Sequence, residues 1–220
     1  MPHCMNLKDP ILITGCARSG TSLVAAIIHE AGASGGNIVI NGSPYNPTGF
    51  YENHEIISAI DKQILREAGF DPLGQNGVPP ADLPGKDIRQ GMFRIASDQG
   101  IRPGETWFFK DAKLLLVFRS YVESFPESKI VLVRRNANDI VNSCMNAPFM
   151  HRRSTPEQWL DWVEDQEKIM DVLKAEKKEV REVWYEDIIN GNLDQLQKVI
   201  EWLDLDWHVD FVSSIVIRKK

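Results

Sequence analysis

The chain has 220 residues, 43% of them hydrophobic, which is enough to build the core of one α/β domain spanning 1–220. A formal net charge of −6 and a sequence pI near 5.4 exclude a general nucleic-acid binder, although local basic sites remain open to it. Cys4, Cys16 and Cys144 form an odd set without a C-x-x-C pair, and no signal core or membrane-length apolar run is present, so the expectation is a cytoplasmic protein with no disulfide framework and no membrane association.

Taken in chain order, Ile11-Leu12-Ile13-Thr14 is an apolar run of the kind a buried parallel strand shows. A loop bounded by Gly15 and Gly20 follows, and then a helix from Ser22 to Ala31 that ends at Gly32. Ala33 to Asn53 is rich in Gly, Asn, Pro and Ser and predicts an irregular loop. The next helix, His54 to Ala68, places Ile56, Ile57, Ile60, Ile64 and Leu65 on one face. Gly69 to Gly85 carries four prolines and four glycines and predicts a second long loop. A helix from Lys86 to Gln99 leads to a strand from Glu105 to Phe109, which ends in Lys110-Asp111-Ala112-Lys113, and a helix from Leu114 to Ser124 follows. Ser128 to Val133 is a second buried strand, and it hands over to a helix through Arg134-Arg135-Asn136-Ala137-Asn138-Asp139. Pro148 to Thr155 is a basic loop with His151-Arg152-Arg153. Pro156 to Lys178 is a long amphipathic helix with Trp159, Trp162, Val163, Ile169, Met170 and Leu173 inward. A short strand, Glu179 to Trp184, precedes Tyr185-Glu186-Asp187, and a helix runs from Leu193 to Leu203. The last ten residues, Phe211 to Lys220, are apolar and then basic and receive no element. Strands alternating with helices predict a three-layer α/β fold, a central parallel sheet with helices on both faces.

The first strand–loop–helix carries the chemistry. Its spacing, Gly15-x-x-x-x-Gly20, is that of a P-loop, an anion cradle in which glycines let the backbone turn and helix-start N–H groups point at the ligand. Thr21-Ser22 stands where nucleoside triphosphatases place Lys and then Ser or Thr, and a cation, Arg18, sits inside the loop instead. Ala17, Arg18, Ser19, Gly20, Thr21 and Ser22 are therefore the candidate anion-binding residues. At the other clear strand-to-helix turn, Arg135 would make a charge-assisted contact to phosphate, with Ser143 two turns along the same helix. A surface helix start with Asp139 as a first-turn carboxylate is the other reading of that turn. Glu52 also has two readings: a helix cap, since a carboxylate interacts well with the dipole of the helix that follows, or a general base for an acceptor hydroxyl. The five histidines show no metal-ligand spacing, so no metal is expected.

These landmarks resemble the sulfotransferase family, which uses 3′-phosphoadenosine-5′-phosphosulfate (PAPS). The loop with an internal cation followed by Ser-Gly-Thr-Ser looks like that family's 5′-phosphosulfate loop. Arg135-Asn136-Ala137-Asn138-Asp139 with Ser143, eight positions after Arg135, is similar to its 3′-phosphate segment. Tyr185-Glu186-Asp187 resembles the segment whose tyrosine lies near the adenine, although a plain structural turn fits it equally. Lys110 resembles a lysine that the cytosolic enzymes follow, two positions later, with a catalytic histidine. Here that position is Ala112, which leaves Glu52 or Asp111 as the base.

The resemblance implies in-line sulfuryl transfer from PAPS, leaving PAP, to a hydroxyl- or amine-bearing acceptor. Arg18 and Lys110 would neutralise charge on the leaving oxygen, and Glu52 or Asp111 would take the acceptor proton. Loops 33–53 and 69–85 would shape the acceptor pocket. Two alternatives stand beside it. A P-loop kinase of a small metabolite or nucleotide would use Asp111 for magnesium, and a non-catalytic nucleotide-binding module would use the cradle alone.

Overall fold

The computed structural model describes residues 7–217. Four strands form one sheet: β1 (Ile11–Thr14), β2 (Phe108–Lys110), β3 (Ile130–Arg134) and β4 (Val180–Trp184). Their order is β2-β1-β3-β4, and every neighbouring pair is parallel. The helices are α1 (Thr21–Glu30), α2 (His54–Ile56), α3 (Lys62–Glu67), α4 (Arg89–Asp98), α5 (Phe118–Ser124), α6 (Ala137–Asn146), α7 (Pro156–Glu176), α8 (Tyr185–Asn190), α9 (Asp194–Trp202) and α10 (Val209–Ile217).

Strand side chains alternate between two apolar layers, as the pleat requires. Leu12, Phe109, Ile130 and Leu132 enter one layer, with the buried faces of α3, α4, α5, α6 and α7. Ile11, Ile13, Phe108, Val131 and Val133 enter the other, with α1, α8, α9 and α10. Helices thus cover both faces, which is why the strands read as continuous apolar runs. Ile13 pairs with Lys110 on one side and Val131 on the other, so the carboxyl ends of β1, β2 and β3 reach one edge. In doubly wound sheets ligands bind at that edge, where the strand order reverses.

The helix predicted over 54–68 is interrupted. Between α2 and α3 lies a π-helical segment, Ile57–Asp61. A π turn inserts an extra residue, so the apolar face is kept while one more side chain is carried inward. Ile56, Ile57, Ile60, Ile64 and Leu65 are all buried, and so is Asp61, at 0% exposure. The N-cap of this helix is Asn53, whose side chain accepts from the Ile56 amide. The helix-cap reading of Glu52 is therefore corrected.

Other boundaries shift for local reasons. β2 begins at Phe108 rather than Glu105, because Trp107 bridges Ser34 instead of joining the ladder, and Lys110 becomes its last residue. The helix predicted over 114–124 opens as a 3₁₀ turn, Lys113–Val117, before α5. α4 starts at Arg89 because the amides of Lys86 and Ile88 are held by the Ser120 and Ser124 hydroxyls. α7 starts where its sequence says it should: Thr155 and Gln158 form a capping box around Pro156. Trp159, Trp162, Val163, Ile169, Met170 and Leu173 are buried as expected. Tyr185 opens α8, and the apolar part of 211–220 falls within α10, which packs on α1. Arg218-Lys219-Lys220 and Cys4 lie outside the described residues; Cys16 and Cys144 are free and buried. Among the described residues no helix is long and apolar enough to cross a membrane.

Candidate active site

The cradle follows β1 directly. Gly15 is required by close approach, since a Cβ there would stand 2.3 Å from the Val133 carbonyl oxygen. Gly20, at φ +99°, caps α1, and a Cβ there would stand 2.3 Å from the ring of Tyr185. Arg18 adopts φ 73°, a left-handed conformation uncommon outside glycine, asparagine and aspartate. No side chain caps α1; the Leu23 and Val24 amides turn back to the Gly20 carbonyl, which leaves those of Gly20, Thr21 and Ser22 for a ligand, as helix starts at anion sites do.

Three cations converge on this edge. Arg18 donates from Nε to Ser143 Oγ (3.0 Å) and from a terminal nitrogen to the Tyr45 carbonyl (2.6 Å), and its guanidinium lies 5.3 Å from the centre of the Phe149 ring. Burial lowers its pKa. Lys110, 3% exposed, donates to Glu52 Oε1 (2.7 Å), Ser22 Oγ (3.2 Å) and the Phe50 carbonyl (3.2 Å). Arg135 donates to the Arg18 carbonyl (3.0 Å) and stacks 4.4 Å from the centre of the Tyr185 ring. The neighbouring Arg134 is consumed by Glu182 and Asp171, both at 2.6 Å, so of these two adjacent arginines it is Arg135 that faces the cleft. A cleft of about 120 Å³ is lined by Ala17, Arg18, Gly20, Thr21, Ser22, Lys110, Arg135 and Tyr185, among others.

The second βα turn is fixed by its own backbone. Asn136 caps α6, accepting from the amides of Asn138 and Asp139, and Asp139 stands in the first turn as expected. The Asn136 amide donates to Glu186 Oε1 at 2.8 Å. Tyr185-Glu186 is thus tied to the Arg135 turn and is more than a bend after β4.

Two predicted contacts differ. Ser19 is fully buried, and its hydroxyl lies 2.9 Å from where a Gly15 Cβ would be, so its side chain faces into the loop rather than the cleft. Ser143 hydrogen-bonds Arg18, whereas its expected companion was Arg135. Lys110 pairs with Glu52, and Asp111 with Lys113 (2.8 Å), because Lys110 and Asp111 leave the end of β2 in opposite directions.

A second cavity, of about 290 Å³, adjoins the cleft. Glu52, Ala17, Phe50, Ala112, Phe149 and Met150 line both spaces, whereas Asp111, Lys113, Leu116, Trp162 and Gln166 line only the second. Glu52 therefore stands at the junction. It is 20% exposed, with His54 Nε2 3.6 Å from its other oxygen. Burial alone would raise its pKa, but the Lys110 ammonium outweighs burial and holds the carboxyl well below the usual carboxylate range. Lys113 follows the same logic: burial would lower it, and Asp111 carries it up to about 12. Loop 33–53 supplies Tyr45, Phe50 and Glu52 to these spaces, and loop 69–85 supplies Leu73, Gly74 and Gln75. The Trp162 indole holds the latter loop through the Gly74 carbonyl (2.9 Å).

Phe149, Met150, Trp162 and Gln166 were not read from the sequence as site residues. Gln166 left a signal: it is a polar residue inside the buried stripe of α7, with an amide nitrogen that has no hydrogen-bond partner among the described residues. Phe149 left none, because its loop is conspicuous for His151-Arg152-Arg153 instead.

The chain is similar in fold to the sulfotransferase STF1 from Mycobacterium tuberculosis, with 14% identity over 98% of this chain and 72% of that one, and a TM-score of 0.52. It is similar to mouse sulfotransferase SULT7A1, solved in complex with PAP, with 14% identity over 98% of this chain and 65% of that one, and a TM-score of 0.53. A sulfotransferase from Alicyclobacillus acidocaldarius matches with 13% identity over 90% of this chain and 81% of that one, with a TM-score of 0.50. The chain spans roughly two thirds of the mouse protein's length. No curated protein sequence matches significantly. The sequence model described as "Sulfotransferase family" matches residues 10–209, and the chain belongs to that family.

Proposed function

We propose that the protein transfers a sulfuryl group from PAPS to a hydroxyl or amine of a small acceptor. The observation that carries this reading is the placement of Glu52 at the junction of two spaces, one rich in cations and open amides, the other mostly apolar. The donor fits the first. Arg135 Nε is buried without a hydrogen-bond partner among the described residues, and α1 has no side-chain cap, so both offer donors to a phosphate. Arg135 and Ser143 would hold the 3′-phosphate, Ala17 to Ser22 the 5′ end, and Tyr185 the adenine side. Ser19 would shape the loop rather than touch the donor, since its hydroxyl is buried and its amide donates to the Cys16 carbonyl (3.0 Å). Bound there, PAPS supplies an activated sulfuryl group on a phosphate–sulfate anhydride.

The chain's own groups then have distinct tasks. Arg18 and Lys110 neutralise charge at the donor's bridging oxygen. Glu52 accepts the acceptor proton. Lys110 is hydrogen-bonded to Glu52 and Ser22. Drawing Lys110 toward an anionic donor would weaken its hold on Glu52, raise the carboxylate's basicity, and tie base activation to donor binding. Asp111 is less suited to the role, since Lys113 occupies one of its oxygens. That ion pair also disfavours the kinase alternative, which needs Asp111 for magnesium. The acceptor body would pack on Leu116, Trp162 and Phe149, with a hydrogen-bonding oxygen on the Gln166 amide.

Thermal unfolding with PAP, PAPS and ATP–Mg²⁺ tests the assignment. PAP raises the melting temperature without a divalent metal, by mass action on the native state. A shift with ATP–Mg²⁺ and none with PAP rejects sulfuryl transfer in favour of phosphoryl transfer.

A further inference from the structure

At the acceptor cavity the structure buries two carboxyl groups, Asp111 in the lining and Asp61 beside it, that the proposed reaction does not use. Asp61, the last residue of the π-helical segment, and Asp111, just past β2, are both 0% exposed. Each has one satisfied oxygen. The Tyr121 hydroxyl donates to Asp61 Oδ1 at 2.5 Å, and Lys113 Nζ donates to an Asp111 oxygen at 2.8 Å. The remaining oxygens, Asp61 Oδ2 and Asp111 Oδ2, are buried and have no hydrogen-bond partner among the described residues. Ionised carboxylates accept only, so two orphan acceptors in one apolar layer would be costly. One proton satisfies both: it makes Asp61 a donor to Asp111, the side-chain contact by which the two residues interact.

We propose that Asp61 and Asp111 share a single proton, carried on Asp61, and that this dyad is the positioning device that fixes Lys113 in the wall of the acceptor cavity. The balance is simple. Neutral Asp61, anionic Asp111 and cationic Lys113 sum to zero charge, and along Tyr121–Asp61–Asp111–Lys113 each contact pairs one hydrogen with one oxygen. With both carboxyls ionised the cluster would carry a net negative charge with one cation. The Asp111 backbone is held as well, since its carbonyl accepts from Thr14 Oγ1 (2.9 Å) at the end of β1. The dyad thus anchors the segment that presents Lys110 to one space and Lys113 to the other.

The groups facing Asp61 are Asp111 just past β2, Lys113 in the 3₁₀ turn and Tyr121 on α5. Burial first, then Asp111, raises the Asp61 carboxyl well above its usual range. A raised folded-state value means that folding takes up a proton. The stability it confers is complete below the unfolded-state range of about 4 and is lost as pH rises toward the folded value. Tyr121 is pushed up in turn, by burial and then by Asp61, and stays a donor.

Asp61→Asn tests this, because an amide can donate to Asp111 and accept from Tyr121 as the protonated acid does. At neutral pH the wild-type infrared spectrum should contain a protonated-carboxyl band that shifts in D₂O and is missing in Asp61→Asn. The melting temperature of Asp61→Asn should stay near wild type, whereas Asp61→Leu, which leaves Tyr121 and Asp111 without a partner, should lose several degrees. The wild-type advantage over Asp61→Asn should shrink steadily from pH 5 to pH 9. Absence of the band, with Asn and Leu equally destabilising or parallel pH dependences, overturns the shared proton. The catalytic consequence rests on the proposed transfer reaction. A wild-type protein that fails to bind PAP yet shows the band would reject that reaction and leave the dyad standing.

Discussion

Lys110 Nζ lies 2.7 Å from Glu52 Oε1 and 3.2 Å from Ser22 Oγ, so a single buried ammonium links the carboxylate at the junction to the first turn of the cradle helix. Lys110→Ala should therefore act twice. It removes a charged donor from the cleft, worth about 1.5–3 kcal/mol, or about ten- to a hundredfold in PAP affinity. It also leaves Glu52 half-buried without its cation, so the Glu52 carboxyl should titrate at higher pH than in wild type, which carboxyl NMR reads directly. Because the wild-type value is depressed, the stability of the pair is present above the unfolded carboxylate range and lost as pH falls below it. Wild type and Lys110→Ala should differ most in stability at neutral pH and converge in acid. Equal divergence at all pH values would show that the ion pair is not the source.

The two adjacent arginines of β3 and its turn give a matched control. Arg135→Ala should weaken PAP binding by about ten- to a hundredfold, with a small change in melting temperature. Arg134→Ala should do the opposite, since it breaks contacts to Glu182 and Asp171 on the far side of the strand end. Ser143→Ala should weaken PAP binding more gently and loosen Arg18, its partner here. Calorimetric titration with PAP ranks the three, and an Arg134 effect larger than that of Arg135 would reverse the assignment.

The parts legible in the sequence are those that depend on short-range geometry. Gly15, Gly20, Arg18, Arg135 and Ser143 lie at fixed spacings about two strand ends, so their convergence follows from a parallel sheet alone. Glu52 was reached as one of two readings, and the fold removed the capping one by giving the cap to Asn53. What was not legible depends on long-range packing. The π turn at Ile57–Asp61 keeps an apolar pattern that an ordinary helix also satisfies, so nothing local marks Asp61 as buried. Phe149 enters the site because two loops meet over Arg18, with its ring 6.5 Å from that of Tyr45 and 6.1 Å from that of Phe50.

Gly20 couples the cradle to the aromatic platform. A methyl group there meets Tyr185 at 2.3 Å while the backbone stays at φ +99°, so Gly20→Ala should cost about 1–3 kcal/mol in strain and displace the ring on which Arg135 stacks. The expected result is a lower melting temperature together with reduced PAP affinity. Gly100→Ala is the control. It is also left-handed, at φ +94°, but has open space around it, so it should lose stability and keep PAP affinity.

The base is tested last, because it needs an acceptor, found by screening hydroxyl and amine compounds with PAPS. Glu52→Gln keeps the size and a hydrogen bond to Lys110 but cannot take a proton. It should hold PAP affinity within a few-fold and lower turnover by about 10²-fold or more. Asp111→Asn is made in parallel. Asp111 touches only the acceptor cavity and is ion-paired to Lys113, so that change should raise the acceptor KM more than it lowers kcat. The opposite pattern, normal turnover in Glu52→Gln and none in Asp111→Asn with PAP bound, moves the base to Asp111. Full activity in both would mean that the acceptor ionises unaided. In that case turnover across a series of phenols should track the acceptor's own pKa, a dependence that a positioned carboxylate base flattens.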